Sequence, residues 1–187
     1  MASEHDKAVL WSIFNPTAPF GDIPGLNEEK ELTDDDSFFD PNLLEKVKNL
    51  EIRGVSAAES GDLKTALIHF DQAIQILPKR ASAYNNRAQV KRLLGDTESA
   101  IEDLEHAIVL SKGRGRTACQ ALVQRGLLFR LAHRDDDARA DFERAAALGS
   151  MFAKQQAIIL NPYAALCNRM LSEVIGNLRN PKVPEKQ

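Results

Sequence analysis

Two stretches of the chain carry one pattern at a fixed offset. Gly61-Asp62-x-x-x-Ala66-x-x-x-Phe70-x-x-Ala73 is followed by Gly95-Asp96-x-x-x-Ala100-x-x-x-Leu104-x-x-Ala107, with matching residues 34 apart. Self-similarity at such a period predicts helix–turn–helix units stacked on one another, each burying its apolar face against its neighbours. Each Gly falls where two helices must turn tightly, and the Asp after it is placed to cap the second helix. The Ala positions predict close crossing of the paired helices, and Pro78 ends the first copy.

A third copy is less regular. Gly126, Ala138, Phe142 and Ala145 take the places of Gly54, Ala66, Phe70 and Ala73, and His133 stands where the turn Gly stood. The step from Ala100 to Ala138 is 38, so four residues are inserted, around Ser111–Arg116. The expected helices run from Pro41 to about Ser60, Leu63 to Leu77, Ser82 to Leu94, Thr97 to Leu110, Thr117 to Leu131 and Asp135 to Leu148. Asp40-Pro41 starts the first with a cap and a first-turn proline. Gly149 and Ser150 stop one helix and cap the next, Met151 to Leu160. Asn161-Pro162 starts the last, Tyr163 to about Leu178. These two helices are expected to close the stack with a polar outer face.

The domain reading is therefore an acidic arm over residues 1–40, partly ordered, three repeats over 41–149 (about 47–80, 81–114 and 119–149), closing helices over 150–179 and a flexible tail over 180–187. Residues 1–40 hold ten acidic side chains against two lysines, a net −8, so the rest of a chain of net charge −3 is +5. An acidic arm on a mildly basic body argues against nucleic acid as the main partner. Residues 27–37 read as mobile acidic chain, whereas Trp11, Phe14 and Phe20 are apolar anchors that a purely solvated arm has little use for.

The stretch Met1–Asp6 lacks a signal-peptide layout, and no apolar run approaches a membrane span. Cys119 and Cys167 make no disulfide framework and have no metal-ligand spacing. The expectation is a cytoplasmic protein, with the nucleus as a second compartment, without cofactor, metal or membrane; oligomeric state stays open. His5, His69, His106 and His133 form no catalytic constellation, and Gly113-Arg114-Gly115 lacks the strand that a phosphate-binding loop follows. Asp135-Asp136-Asp137 at a helix start favours the positive end of the dipole rather than a metal. The chain is expected not to be an enzyme.

On these residues the chain resembles the tetratricopeptide repeat family: an all-α solenoid of three repeats with an N-terminal arm and closing helices. The resemblance implies that the first helix of each pair lines a concave surface. Its exposed positions would be Lys48, Glu51, Val55, Asn85, Asn86, Gln89, Arg92, Gln120, Gln124, Leu127 and Arg130. Side-chain amides both donate and accept, which suits the backbone of an extended peptide. The candidate partner-binding residues are Asn85, Asn86, Gln89, Arg92, Gln120, Gln124 and Arg130.

Some members of the family hold the acidic C-terminus of Hsp70 or Hsp90 in a clamp of two Asn and three Lys or Arg residues. Tyr84-Asn85-Asn86-Arg87-Ala88 resembles its second-repeat part, with Asn86 on the clamp Asn; Glu51, Val55, Gln120 and Gln124 depart from it. The flanking motifs, Ile13-Phe14-Asn15-Pro16 and Leu160-Asn161-Pro162-Tyr163-Ala164-Ala165, resemble small three-repeat members linked to Hsp70-type chaperones. The resemblance implies a protein-interaction adaptor, co-chaperone-like or stabilising a client. The alternative is a self-occluded module whose arm fills the groove through Trp11, Phe14 and Phe20, with partners bound elsewhere.

Overall fold

The computed structural model describes residues 32–179. Trp11, Phe14 and Phe20 lie outside the described residues, as does the tail from 180 on, so the arm anchors carry no structural account. The unit that begins at Asp34 holds eight helices and no strand among the described residues. They are α1 (Pro41–Glu59), α2 (Leu63–Ile76), α3 (Ala81–Leu93), α4 (Thr97–Leu110), α5 (Gly115–Leu131), α6 (Asp135–Ala147), α7 (Met151–Ile159) and α8 (Pro162–Arg179).

The three predicted pairs are α1–α2, α3–α4 and α5–α6, and one turn joins each. Gly61 and Gly95 sit at φ 85° and 83°, and His133 adopts φ 58° in the third turn. The residue after each reaches back five positions: Asp62 N–H to Ala57 O, Asp96 N–H to Lys91 O and Arg134 N–H to Phe129 O, at 2.9–3.0 Å. This is the Schellman closure, which satisfies carbonyls a helix end leaves open and requires a left-handed residue at the turn. His133 accepts the steric cost of that backbone where Gly does not. Asp62 and Asp96 then cap α2 and α4 by accepting from the Thr65 and Ser99 N–H groups at 3.1 and 3.2 Å.

Within each pair, small residues let the helices approach. Ala66, Ala73, Ala100, Ala107, Ala138 and Ala145 are fully buried. A Cβ on Gly54 would meet the Phe70 ring at 2.6 Å, and one on Gly126 would meet the Phe142 ring at 2.9 Å. In the middle pair, buried Ala88 and Leu104 take these positions, a larger residue opposite a smaller one.

Charge fastens each unit to the next. Arg87 on α3 donates to Asp103 on α4 at 2.6 and 2.8 Å and pairs with Asp71 on α2 at 2.7 Å. Arg125 on α5 repeats this with Asp141 on α6 at 2.7 and 2.8 Å, and stands 3.8 Å from Glu105 on α4. Asp103 and Asp141 are buried. Arg53 and His69 hold the equivalent positions in the first unit.

Two predicted helix features are revised. Helix α5 begins at Gly115 rather than Thr117: Lys112 and Gly113 make the left-handed turn, and the rest of the insertion becomes extra helix. The closing helices do not present a polar face. Tyr163, Leu166, Met170, Leu171, Val174 and Ile175 of α8 are exposed, as are Ile158 and Ile159 of α7. Nine-residue α7, fixed to α6 by buried Ala153 and the edge of Phe152 on Phe142, is too short to cover an eighteen-residue amphipathic helix.

Candidate functional site

The first helices α1, α3 and α5 pack side by side and form one continuous surface. The residues nominated from the sequence divide into three groups on it.

Asn86, half-buried, and Gln89, exposed, line an open cavity of about 210 Å³ between α1 and α3. Its walls are Val55, Ala58, Glu59, Phe70, Val90 and Leu93. The cavity is thus mostly apolar, with two amides at its rim, a composition suited to an aliphatic side chain whose backbone bonds at the edge.

Asn85, Gln120 and Gln124 form a bridge from α3 to α5. The Gln124 amide donates to Asn85 Oδ1 at 3.0 Å, and the Asn85 amide donates to Gln120 Oε1 at 3.4 Å. Helical spacing puts Asn85 on the open surface, but it is buried, because the two glutamines of the next unit close over it. The bridge leaves one group over: Gln124 Oε1 is buried with no hydrogen-bond partner among the described residues. Arg92, further along α3, holds a buried Nε in the same condition. Both atoms are enclosed by the helices around them, so they are costs of the inter-unit packing and not groups offered to a ligand.

Arg130, the third group, is engaged elsewhere: its guanidinium donates to Gln156 Oε1 and ties α5 to α7. Outside the nominated set, Tyr84 stacks on His106 with ring centroids 5.6 Å apart and lies under the Arg87 guanidinium at the same distance.

Sequence reasoning missed a polar cluster at the starts of α3 and α5. Glu51, expected to be exposed, is buried beneath Arg80, which donates to it, and Ser82. The reason is the inter-unit link: Arg80 folds back over α1 from the loop before α3. The other edge of the same guanidinium donates to Asp36 at 3.1 and 3.4 Å, and Lys48 pairs with Asp36 at 3.0 Å. Two residues earlier, Asp34 accepts from the Thr117 N–H at 2.9 Å and from its hydroxyl at 2.5 Å. Part of the stretch read as mobile acidic chain is therefore a strap across three units. Burial works against ionisation of Asp36, but the bonds from Arg80 and Lys48 outweigh it and hold its carboxyl below the usual range. Burial likewise opposes the charge on Arg80, yet Glu51 and Asp36 raise its pKa overall.

A sequence signal for the cluster did exist. It lies at α5: Arg114 before it makes no cap, and Asp34 fills that place, although Arg134 before α6 is uncapped as well. A helix start without its own cap calls for an acceptor from elsewhere.

The tetratricopeptide repeat family matches at residues 81–112, the middle unit. Tetratricopeptide repeat protein 36 of Danio rerio is 74% identical over 187 residues, covering 100% of both chains. The chain belongs to the tetratricopeptide repeat protein 36 family. The Homo sapiens member of the tetratricopeptide repeat protein 36 family is 61% identical over 186 residues, with 97% of this chain and 98% of the human one covered.

Among solved structures, the first TPR of Spaghetti (RPAP3) bound to HSP90 peptide SRMEEVD is 20% identical, with a TM-score of 0.58 over 65% of this chain and 97% of that one. The second TPR domain of human RPAP3 in complex with HSP70 peptide SGPTIEEVD is 21% identical, with a TM-score of 0.55 over 63% and 97%. At such identities the likeness carries the fold, and the fold is an all-α tetratricopeptide solenoid. Domains of this class bind protein or peptide partners.

Proposed function

We propose that this chain is a non-enzymatic, cytoplasmic adaptor that holds an extended protein segment on the surface of α1, α3 and α5. The observation that carries the reading is the open, mostly apolar cavity between α1 and α3 with the Asn86 and Gln89 amides at its rim. A peptide crossing there would set its backbone against the Asn86 and Gln89 amides and give an apolar side chain to the Phe70-walled cavity.

An Hsp70-type chaperone is the first partner to test, because solved neighbours of the same fold hold HSP70 and HSP90 peptides. A client protein held for stability is the alternative occupant. The binding mode differs from a cation clamp. Glu51 is neutralised by Arg80, Val55 is apolar, and Gln120 and Gln124 are uncharged. Without a ring of free cations a terminal carboxylate gains few charge-assisted bonds, so main-chain bonds and one apolar contact carry the affinity.

Calorimetric titration of the full chain with the peptide SGPTIEEVD, and with its C-terminally amidated form, tests the reading. Both forms should bind within about threefold of each other, and Asn86→Ala with Gln89→Ala should weaken both by about tenfold, the equivalent of roughly 1.4 kcal/mol. Affinity unchanged in the groove variant, or lost on amidation alone, would overturn it.

A further inference from the structure

The strap buries no apolar side chain. Asp34 and Asp35 are exposed and Asp36 is half-buried, and what Asp34 and Asp36 make with the helices are carboxylate bonds. Its side chains alternate. Asp34 and Asp36 face the helices, while Asp35 turns away and accepts from Ser37. In extended chain, residues two apart share one side, and here they reach the starts of two successive first helices. Beyond Ser37 the chain is anchored differently: Phe39 packs against the cluster of Val47, Ala73, Leu77 and Ala83.

The surface beneath does not need the strap in order to exist. Arg80 is fixed from behind by Glu51 and Ser82, so its Nε and Nη2 edge would stay in place with Asp36 gone. That edge is a two-pronged donor matching a carboxylate. The start of α5 is a second, independent donor to a carboxylate: the residue before it gives no cap, and its Thr117 N–H and hydroxyl are what Asp34 binds.

We propose that Asp34–Asp36 is an internal ligand, and that the edge it covers, formed by Lys48, Arg80 and Thr117, is a carboxylate-binding site for an acidic segment of a partner. The segment must offer two carboxylates two residues apart. It binds when the strap lifts, pivoting before Phe39. This deepens the adaptor reading and rests on it only in taking the occupant to be a protein segment. The site lies beside the amide surface, not on it.

The test uses the full chain and a blocked synthetic peptide, LTDDDSF, with LTNNNSF as control, followed by fluorescence anisotropy at low salt. Asp34→Asn/Asp36→Asn opens the site. It should bind LTDDDSF about tenfold more tightly than the natural chain, the factor expected if the strap closes the site about nine-tenths of the time. Lys48→Gln/Thr117→Ala in that background should reverse the gain, and LTNNNSF should not bind.

A second variant avoids reliance on asparagine. Asp34→Cys/Thr117→Cys in a Cys167→Ser chain, oxidised, locks the strap shut and should abolish binding, and reductant should restore part of it through Lys48, Arg80 and the backbone N–H of residue 117. Equal binding by the open, natural and locked chains would overturn the proposal, as would no binding by a folded open chain. Gln89→Ala should leave all these values unchanged, so failure of the amide groove and failure of this site are read separately.

Discussion

The Phe70 ring occupies the space in which Gly54 would carry a side chain, 2.6 Å from where its Cβ would be. The two helices of the first unit meet at this contact, and the third unit repeats it with Gly126 and Phe142. Gly54→Ala should therefore destabilise the chain by about 1–3 kcal/mol through overpacking, despite alanine's better helix propensity. Phe70→Leu in the same chain should recover part of the loss, because the middle unit already pairs Ala88 with Leu104. A double-mutant cycle by urea unfolding measures the coupling, and additive effects would contradict the contact.

Asp103 is buried and takes two bonds from Arg87 and one ion pair from Lys91. Asp103→Ala leaves two cations without their shared acceptor and should cost about 3 kcal/mol. Arg53→Ala, at the equivalent position of the first unit, where no ion pair forms among the described residues, should stay within about 0.5 kcal/mol. Chemical denaturation of both variants checks the contrast.

Asn85 and Gln89 separate structure from binding. Asn85→Ala strands the Gln120 and Gln124 amides and should cost about 1–2 kcal/mol. Gln89 is exposed at the cavity rim, so Gln89→Ala should leave the melting temperature unchanged and alter only peptide affinity. Thermal melts beside calorimetric titrations distinguish them.

The pH dependence of the strap follows from Asp36. Its folded pKa lies below the unfolded value because Arg80 and Lys48 bond to the carboxylate against the cost of burial. Between that lowered value and the unfolded value of about 3.9, the unfolded chain binds more protons. The Asp36 contribution is thus fully present above the unfolded value and is lost as pH falls through the folded one. Glu51 faces the other edge of Arg80, which stays charged throughout. Natural chain and Asp36→Asn should differ by a constant stability above about pH 5 and converge at lower pH, measured by urea unfolding at each pH.

His133 holds a left-handed backbone that Gly61 and Gly95 hold in the other turns. His133→Gly should relieve that strain and stabilise the chain by about 1 kcal/mol. The gain would appear as a higher urea midpoint with unchanged slope.

Among the seven nominated residues, Asn86 and Gln89 lie open at the cavity, whereas Asn85 is buried and Arg130 is spent on Gln156. Helical spacing places a residue on a face of its helix but says nothing of what the next unit lays over that face. Glu51 shows the same limit: its position on α1 faces outward until Arg80, 29 residues later, covers it.

The local pattern alone determined the helix pairs, their turns and their small-residue contacts, because Gly61, Asp62, Ala66 and their repeats act within one or two turns of chain or across one hairpin. Only the tertiary structure decided that Asp34 would meet Thr117, 83 residues away, and that Asp36 would share Arg80 with Glu51. An acidic run carries no periodicity and no apolar weight to mark its destination. Charge pairs form wherever folding brings an uncapped helix start and a half-satisfied guanidinium within reach, and stacking of the units, rather than the order of the residues, sets that distance.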